Sequence, residues 1–184
     1  MLAILTLGPA YGSQLLSEFQ RRAVHRPPVN VGQAYTTLDR LTKQRLVQNA
    51  GKTKDGLTLF SLTDAGRLAA DDWLLTAPVE IAGDDWQEML DRVFISRSLP
   101  NYPHGKVADS YIEVWTKRLN HSDPTIKPAL SQDQDARSLT AQADMLVANA
   151  ALDWLDRVSR TSAVALDYSA AKPRRGRRPH RITG

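Results

Sequence analysis

VNVGQAYTTLDRLTKQRLVQNAGKTKDGLTLFSLT, Val29–Thr63, changes its apolar periodicity partway through, and that change decides the fold. Asn30 and Gln33 have the spacing of a capping box, which predicts a helix start. Ala34, Leu38 and Leu41 then share one helical face, with Leu46 and Val47 following, while Thr36, Asp39, Arg40 and Lys43 fall on the other. Asp39 and Lys43 stand at i,i+4 and are expected to pair. After Val47 the helical spacing gives way to turn chemistry: Asn49, Gly51, then Lys52-Thr53-Lys54-Asp55-Gly56, where Asp-Gly is a strong hairpin signal. Leu57–Leu62 alternates like a half-buried strand, and Thr63 or Asp64 caps a further helix that runs to about Leu75 and stops at Pro78.

Working back towards the start, Leu2–Leu7 is a short apolar run that periodicity alone leaves as helix or strand. Gly8-Pro9 ends it. Gly12-Ser13 opens a pattern of Leu15, Leu16, Phe19 and Ala23, with Ser13 as N-cap and Arg21 and Arg22 near the C-terminal end, where cations suit the helix dipole. Residues 1–76 therefore read as three helices, a two-stranded basic wing and another helix. A helix with a short polar front, followed by a charged β-hairpin, is the pattern of a winged helix-turn-helix. It implies double-stranded DNA as partner.

The later sequence reads as all helical. One stripe holds Trp86, Leu90, Val93, Phe94 and Arg97 and ends at Pro100; a second holds Val107, Tyr111, Val114, Trp115 and Arg118-Leu119. After a proline-bearing loop at 121–131 comes a third stripe: Leu139, Ala143, Leu146, Val147, Ala150, Trp154, Leu155 and Val158. Its spacing is close to a heptad and its length about seven turns. So small a body cannot cover all of it, which predicts a homodimer built on Leu139, Ala143, Leu146, Val147, Ala150 and Trp154. An intrachain helical hairpin is the other reading.

The expected fold class is mainly α with a small β-wing, a winged helix-turn-helix followed by a helical dimerisation region. The expected divisions are 1–78 for DNA binding, 79–171 for dimerisation and an effector, and 172–184 as a basic disordered tail. Charge follows these divisions. The net +4 of the 184 residues splits into +3 over 1–78, −5 over 79–171 and +6 over 172–184. Such basic ends suit a polyanion. The chain has no cysteine, which excludes disulfides, thiol catalysis and Cys-based zinc sites and fits a cytoplasmic protein. No apolar run is long enough to span a membrane. Met1–Gly12 lacks a basic leader and its apolar run is too short for a secretory signal.

On the predicted recognition helix, Gln33 could pair adenine, Arg40 guanine, and the methyls of Thr36 and Thr37 thymine. Gly32 would let the helix start approach the sugar-phosphate closely. Tyr35 reads either as a phosphate donor or as core. Lys52 and Lys54 at the wing tip would touch phosphates, adding affinity and salt dependence but no sequence information. Ser13 and Gln14, in the first turn of the preceding helix, would anchor a phosphate through side chain and backbone N–H. In the tail, Arg174, Arg175, Arg177 and Arg178 flank Gly176 in a stretch that resembles an AT-hook, with one arginine more than that motif's core; non-specific phosphate binding is the other reading. Trp86, Trp115 and Trp154 could frame a pocket for a flat hydrophobic effector, or could simply fill the core.

No catalytic constellation is legible. Asp71-Asp72 and Asp84-Asp85 are adjacent and diverge; His25, His104, His121 and His180 are isolated; no metal or cofactor motif occurs. A winged-helix module that binds a protein rather than DNA is the remaining alternative.

Residues 1–75 resemble the PadR family of bacterial transcriptional regulators. The resemblance runs from Leu2-Ala3-Ile4-Leu5 through Gly12, Leu15 and Leu16, then Gly32–Leu41, and closes on Phe60-Ser61-Leu62-Thr63-Asp64-Ala65-Gly66-Arg67. It implies a winged-helix dimer that represses promoters through an inverted repeat, joined by helices after the wing, and in many members released by a small hydrophobic compound. Three positions depart from the pattern. Gly12-Ser13 stands where Gly-Tyr is usual, Phe60 replaces a tyrosine, and Arg45 stands where a glycine is common. If the turn at Arg45 needs a positive φ, an arginine there costs on the order of 1 kcal/mol.

Overall fold

A computed structural model describes residues 1–76, 85–100, 102–121 and 134–169. Leu2–Leu5 forms a single helical turn, α1, whose residues Ala3, Ile4 and Leu5 are buried. β1 is Ala10–Tyr11, followed at once by α2, Gly12–Arg22. α3 spans Val31–Lys43, β2 Val47–Lys52, β3 Thr58–Leu62 and α4 Asp64–Leu75. α5 (Asp85–Ser98), α6 (His104–His121) and α7 (Gln134–Arg160) complete the order.

The wing gains a strand that periodicity did not show. Ala10 pairs with Phe60 and Tyr11 with Leu59, so the sheet has the antiparallel order β1-β3-β2. Two residues carry no alternation, so β1 exists only because β3 offers it an edge. That pairing also corrects the cap of α2. Tyr11 is extended in the sheet and becomes the N-cap, with no side-chain hydrogen bond, and Ser13 lies inside the first turn. β2 and β3 pair from Val47↔Leu62 to Lys52↔Thr58, with a bulge between Asn49 and Lys52. Gly51 at φ +104° and Gly56 at φ +78° take the left-handed positions there.

The turn joining α3 to β2 is set by Arg45, which adopts φ +57°. Thr63 locks α4 onto it: its hydroxyl donates to the Arg45 carbonyl at 2.7 Å and accepts from the Gly66 N–H at 3.0 Å. Gly66 has no room for a side chain, because a Cβ would lie 1.8 Å from the Leu46 carbonyl oxygen. α3, the wing and α4 are thereby fixed to one another through two residues of turn.

Ile4, Leu5, Ala10, Leu15, Leu38, Leu41 and Val47 form one buried cluster beneath α3, and Ala3, Leu74, Ile95 and Leu99 a second that joins α1, α4 and α5. A third holds Met89, Val93, Val107, Ala108, Tyr111, Trp115, Ala148, Ala151 and Leu155. α6 and α7 thus form the intrachain hairpin. On α7 the buried face is Ala148, Ala151 and Leu155, with Trp154 half-buried beside them. Leu139, Ala143, Leu146, Val147 and Ala150 are all exposed. The single stripe expected from sequence is in fact two faces of one helix, and among the described residues only one is covered. The loop expected at 121–131 falls almost wholly outside the described residues.

After α7 the chain returns as an extended strap, residues 162–169. Its Leu166 N–H donates to the Ser98 carbonyl at 2.9 Å. The Tyr168 hydroxyl lies 2.7 Å from the Gly8 carbonyl and 3.1 Å from that of Ile4. Arg22, which is buried on α2, donates to the Leu166 carbonyl at 3.0 Å and pairs with buried Glu18 at 3.0 Å. The Ser169 N–H donates to the same Glu18 carboxylate at 2.7 Å. No helix among the described residues is long and apolar enough to cross a membrane.

Candidate nucleic-acid interface

α3 starts where Asn30 places it. The Asn30 side chain accepts from the Gly32 N–H at 2.6 Å, and the Gln33 side chain accepts in return from the Asn30 N–H at 3.2 Å. The capping box is closed. A Cβ on Gly32 would sit 3.1 Å from the Asn30 side-chain oxygen, so this glycine makes room for its own cap. Beyond the cap, Ala34, Leu38 and Leu41 are buried as their spacing requires, and the opposite side is left to water.

That free side holds a shallow hollow lined by Asn30, Gly32, Gln33, Thr36, Thr37 and Arg40. Five of these six were expected from sequence, and Asn30 adds itself through its cap. Residues 33, 36, 37 and 40 follow the i, i+3, i+4, i+7 rule, so they form one ridge along the helix. The Asp39–Lys43 pair expected from spacing does not form: the ion pairs among the described residues do not include it.

Tyr35 lies between the two readings given to it. It is 42% exposed. Its ring lies so close to α2 that a Cβ on Gly12 would be 2.7 Å from it and 2.9 Å from its hydroxyl. The phenol therefore stands beside the first turn of α2, with Ser13 and Gln14 half-buried in the same turn. Because Tyr11 supplies no side-chain cap, the leading N–H groups of α2 keep the positive end of the dipole available to an anion. The sequence marked Gly12 only as a helix start; its role in making room for the Tyr35 ring depends on the packing of α2 against α3, which residue spacing does not show.

Lys52 ends β2 and Lys54 lies in the turn beyond it, both exposed. Arg174, Arg175, Arg177 and Arg178 lie outside the described residues. The chain leaves for them from Ser169, which is held on α2 by Glu18.

The three tryptophans share the third cluster. Trp115 is enclosed at 1% exposure, its indole N–H 3.1 Å from the Met89 sulfur. Trp86 and Trp154 are half-buried with ring centres 6.1 Å apart. Phe94 is 6.1 Å from Trp154 and stacks on His25 at 5.0 Å. His25 and Arg26 both bind Asp91, at 2.8 and 2.6 Å. An aromatic ladder thus links α7 to the end of α2, a connection that residue spacing within separate helices could not reveal.

No curated protein matches the chain. Among solved structures it is similar to Bacillus subtilis PadR in complex with operator DNA, at 21% identity, covering 86% of this chain and 95% of that one, with a TM-score of 0.34. It is also similar to Bacillus subtilis PadR in complex with p-coumaric acid, at 23% identity over the same shares and a TM-score of 0.35. The model of the Transcriptional regulator PadR-like family matches residues 1–72 of the chain.

Proposed function

We propose that this protein is a homodimeric, sequence-specific DNA-binding regulator that occupies an inverted-repeat operator and acts as a repressor. The observation that carries the reading is the polar ridge Gln33-Thr36-Thr37-Arg40 on a helix whose other side is buried, beside the exposed lysines of the wing. The ridge reads bases in the major groove, while Tyr35, Ser13, Gln14, Lys52 and Lys54 hold phosphates. Arg174, Arg175, Arg177 and Arg178 add phosphate or minor-groove contacts from the tail. Gly32 serves the same end by seating the cap.

Residues 1–78 form the DNA-binding part and residues 79–171 the part that dimerises. The support for dimerisation is the uncovered face of α7, where Leu139 is 66%, Leu146 72% and Val147 43% exposed. A hydrophobic effector bound near Trp86 and Trp154 would act through Phe94 and His25 on the end of α2. No catalytic role is assigned to any residue, and the cytoplasm, where the chromosome is reached, is the site of action.

Selection from a pool of randomised duplexes tests the reading. The full chain is expected to enrich an inverted repeat, and Arg40→Ala to lose that preference while keeping weak binding. Binding that treats all duplexes alike, or activity untouched by Arg40→Ala together with Lys52→Ala and Lys54→Ala, would favour a protein-binding module instead.

A further inference from the structure

A threonine can read a base through its hydroxyl or its methyl, and the hydrogen bonds of α3 separate the two. The Thr36 hydroxyl donates to the Gly32 carbonyl at 2.9 Å, and the Thr37 hydroxyl to the Gln33 carbonyl at 2.9 Å. A hydroxyl has one hydrogen, and in both residues it is committed to the preceding helical turn. The oxygen is drawn against the helix with it. What remains to stand off each Cβ into the hollow is the methyl group.

Gln33 is committed in a similar way. Its side-chain oxygen accepts from the Asn30 N–H in the capping box, so only its amide N–H groups remain for a ligand. A bidentate contact to adenine, which needs both a donor and an acceptor from the glutamine, would require opening the cap. Among the described residues Arg40 has no such tie, so its donors remain for a ligand.

We infer that the recognition helix reads thymine by methyl contact through Thr36 and Thr37, flanked by a base-edge acceptor under Gln33 and a guanine under Arg40. The inference rests on the reading of α3 as the major-groove helix. From Gln33 to Arg40 the helix rises about 10 Å, which matches about three base-pair steps. The half-site is then about four base pairs long, with its thymines in the middle.

The test starts from the duplex that the full chain selects and replaces each thymine in turn with deoxyuridine, which removes the 5-methyl and nothing else. One or two central positions in each half-site are expected to lose about three- to fivefold in affinity, the worth of a buried methyl. Thr36→Val and Thr37→Val, which keep the methyl and remove the oxygen, should hold affinity within about twofold and still distinguish thymine from uracil. Thr36→Ser and Thr37→Ser should bind both duplexes equally. A selected site that tolerates uracil everywhere, or valine variants that lose discrimination while serine variants keep it, overturns the inference and leaves the DNA-binding reading intact. A chain that selects no sequence overturns both. Circular dichroism of the four variants separates a lost contact from a lost helix.

Discussion

Arg45 carries the cost of a turn that suits glycine. Its φ of +57° lies in the left-handed region, where a Cβ crowds the following carbonyl. Arg45→Gly is therefore expected to raise the unfolding free energy by about 0.5–1 kcal/mol, read as a higher urea midpoint at unchanged m-value. A lower midpoint would mean that the arginine side chain contributes more than the turn loses. The strain at Arg45 was foreseen from the family resemblance, which marked the position as one for glycine. Glu18 and Arg22 were not foreseen. A carboxylate and a guanidinium at i,i+4 look like an ordinary solvated helix pair, and nothing local tells that both are buried. Residues 166–169, about 145 positions away, lie against them: the Leu166 and Asp167 carbonyls accept from the Arg22 guanidinium, and the Ser169 N–H donates to the Glu18 carboxylate. The polar ridge Gln33-Thr36-Thr37-Arg40 was legible for the opposite reason: helix period and cap are local, and Asn30 and Gln33 sit where both require.

At the scale of elements, wing and long helix give separate expectations. Lys52 and Lys54 are exposed on the hairpin and meet no base in the proposed docking. Lys52→Ala with Lys54→Ala should weaken binding to all duplexes about equally and flatten the plot of log affinity against log salt by about 2. A loss confined to one sequence would place these lysines at a base edge. On α7, Leu146→Glu puts a charge into the face proposed to meet a second copy. Sedimentation should show dimerisation weakened by roughly a hundredfold, with the helical signal retained, since among the described residues Leu146 belongs to no core cluster. An unchanged dimer would assign that face to solvent. Sequence showed α7 and its length but not which apolar face the chain covers. Both faces recur at helical spacing, and the choice depends on α6. β1 was illegible because two residues hold no pattern of their own.

Across the whole molecule, the strap after α7 ties the end of the chain's long helix to α1 and α2. Tyr168 is its anchor, with its hydroxyl between the carbonyls of Gly8 and Ile4. Burial first, and the Glu18 charge second, hold this phenol above its ordinary value of 10.0. An acid whose folded value is raised contributes its stability fully below its unfolded value and loses it as the pH climbs past that point. Tyr168→Phe should cost about 1–2 kcal/mol in thermal melts at neutral pH, and the gap between variant and parent should narrow above a pH of about 10. A gap that widens there would reverse the assignment. The proposed regulator acts as two chains presenting paired α3 ridges to one duplex. The direct measurement is sedimentation of the full chain with its selected duplex, combined with a footprint across it. Two chains per duplex and two protected major-groove faces about one helical turn apart, or a multiple of it, are the expected result. A strictly monomeric chain that binds no duplex better than another, even at low ionic strength, would contradict it.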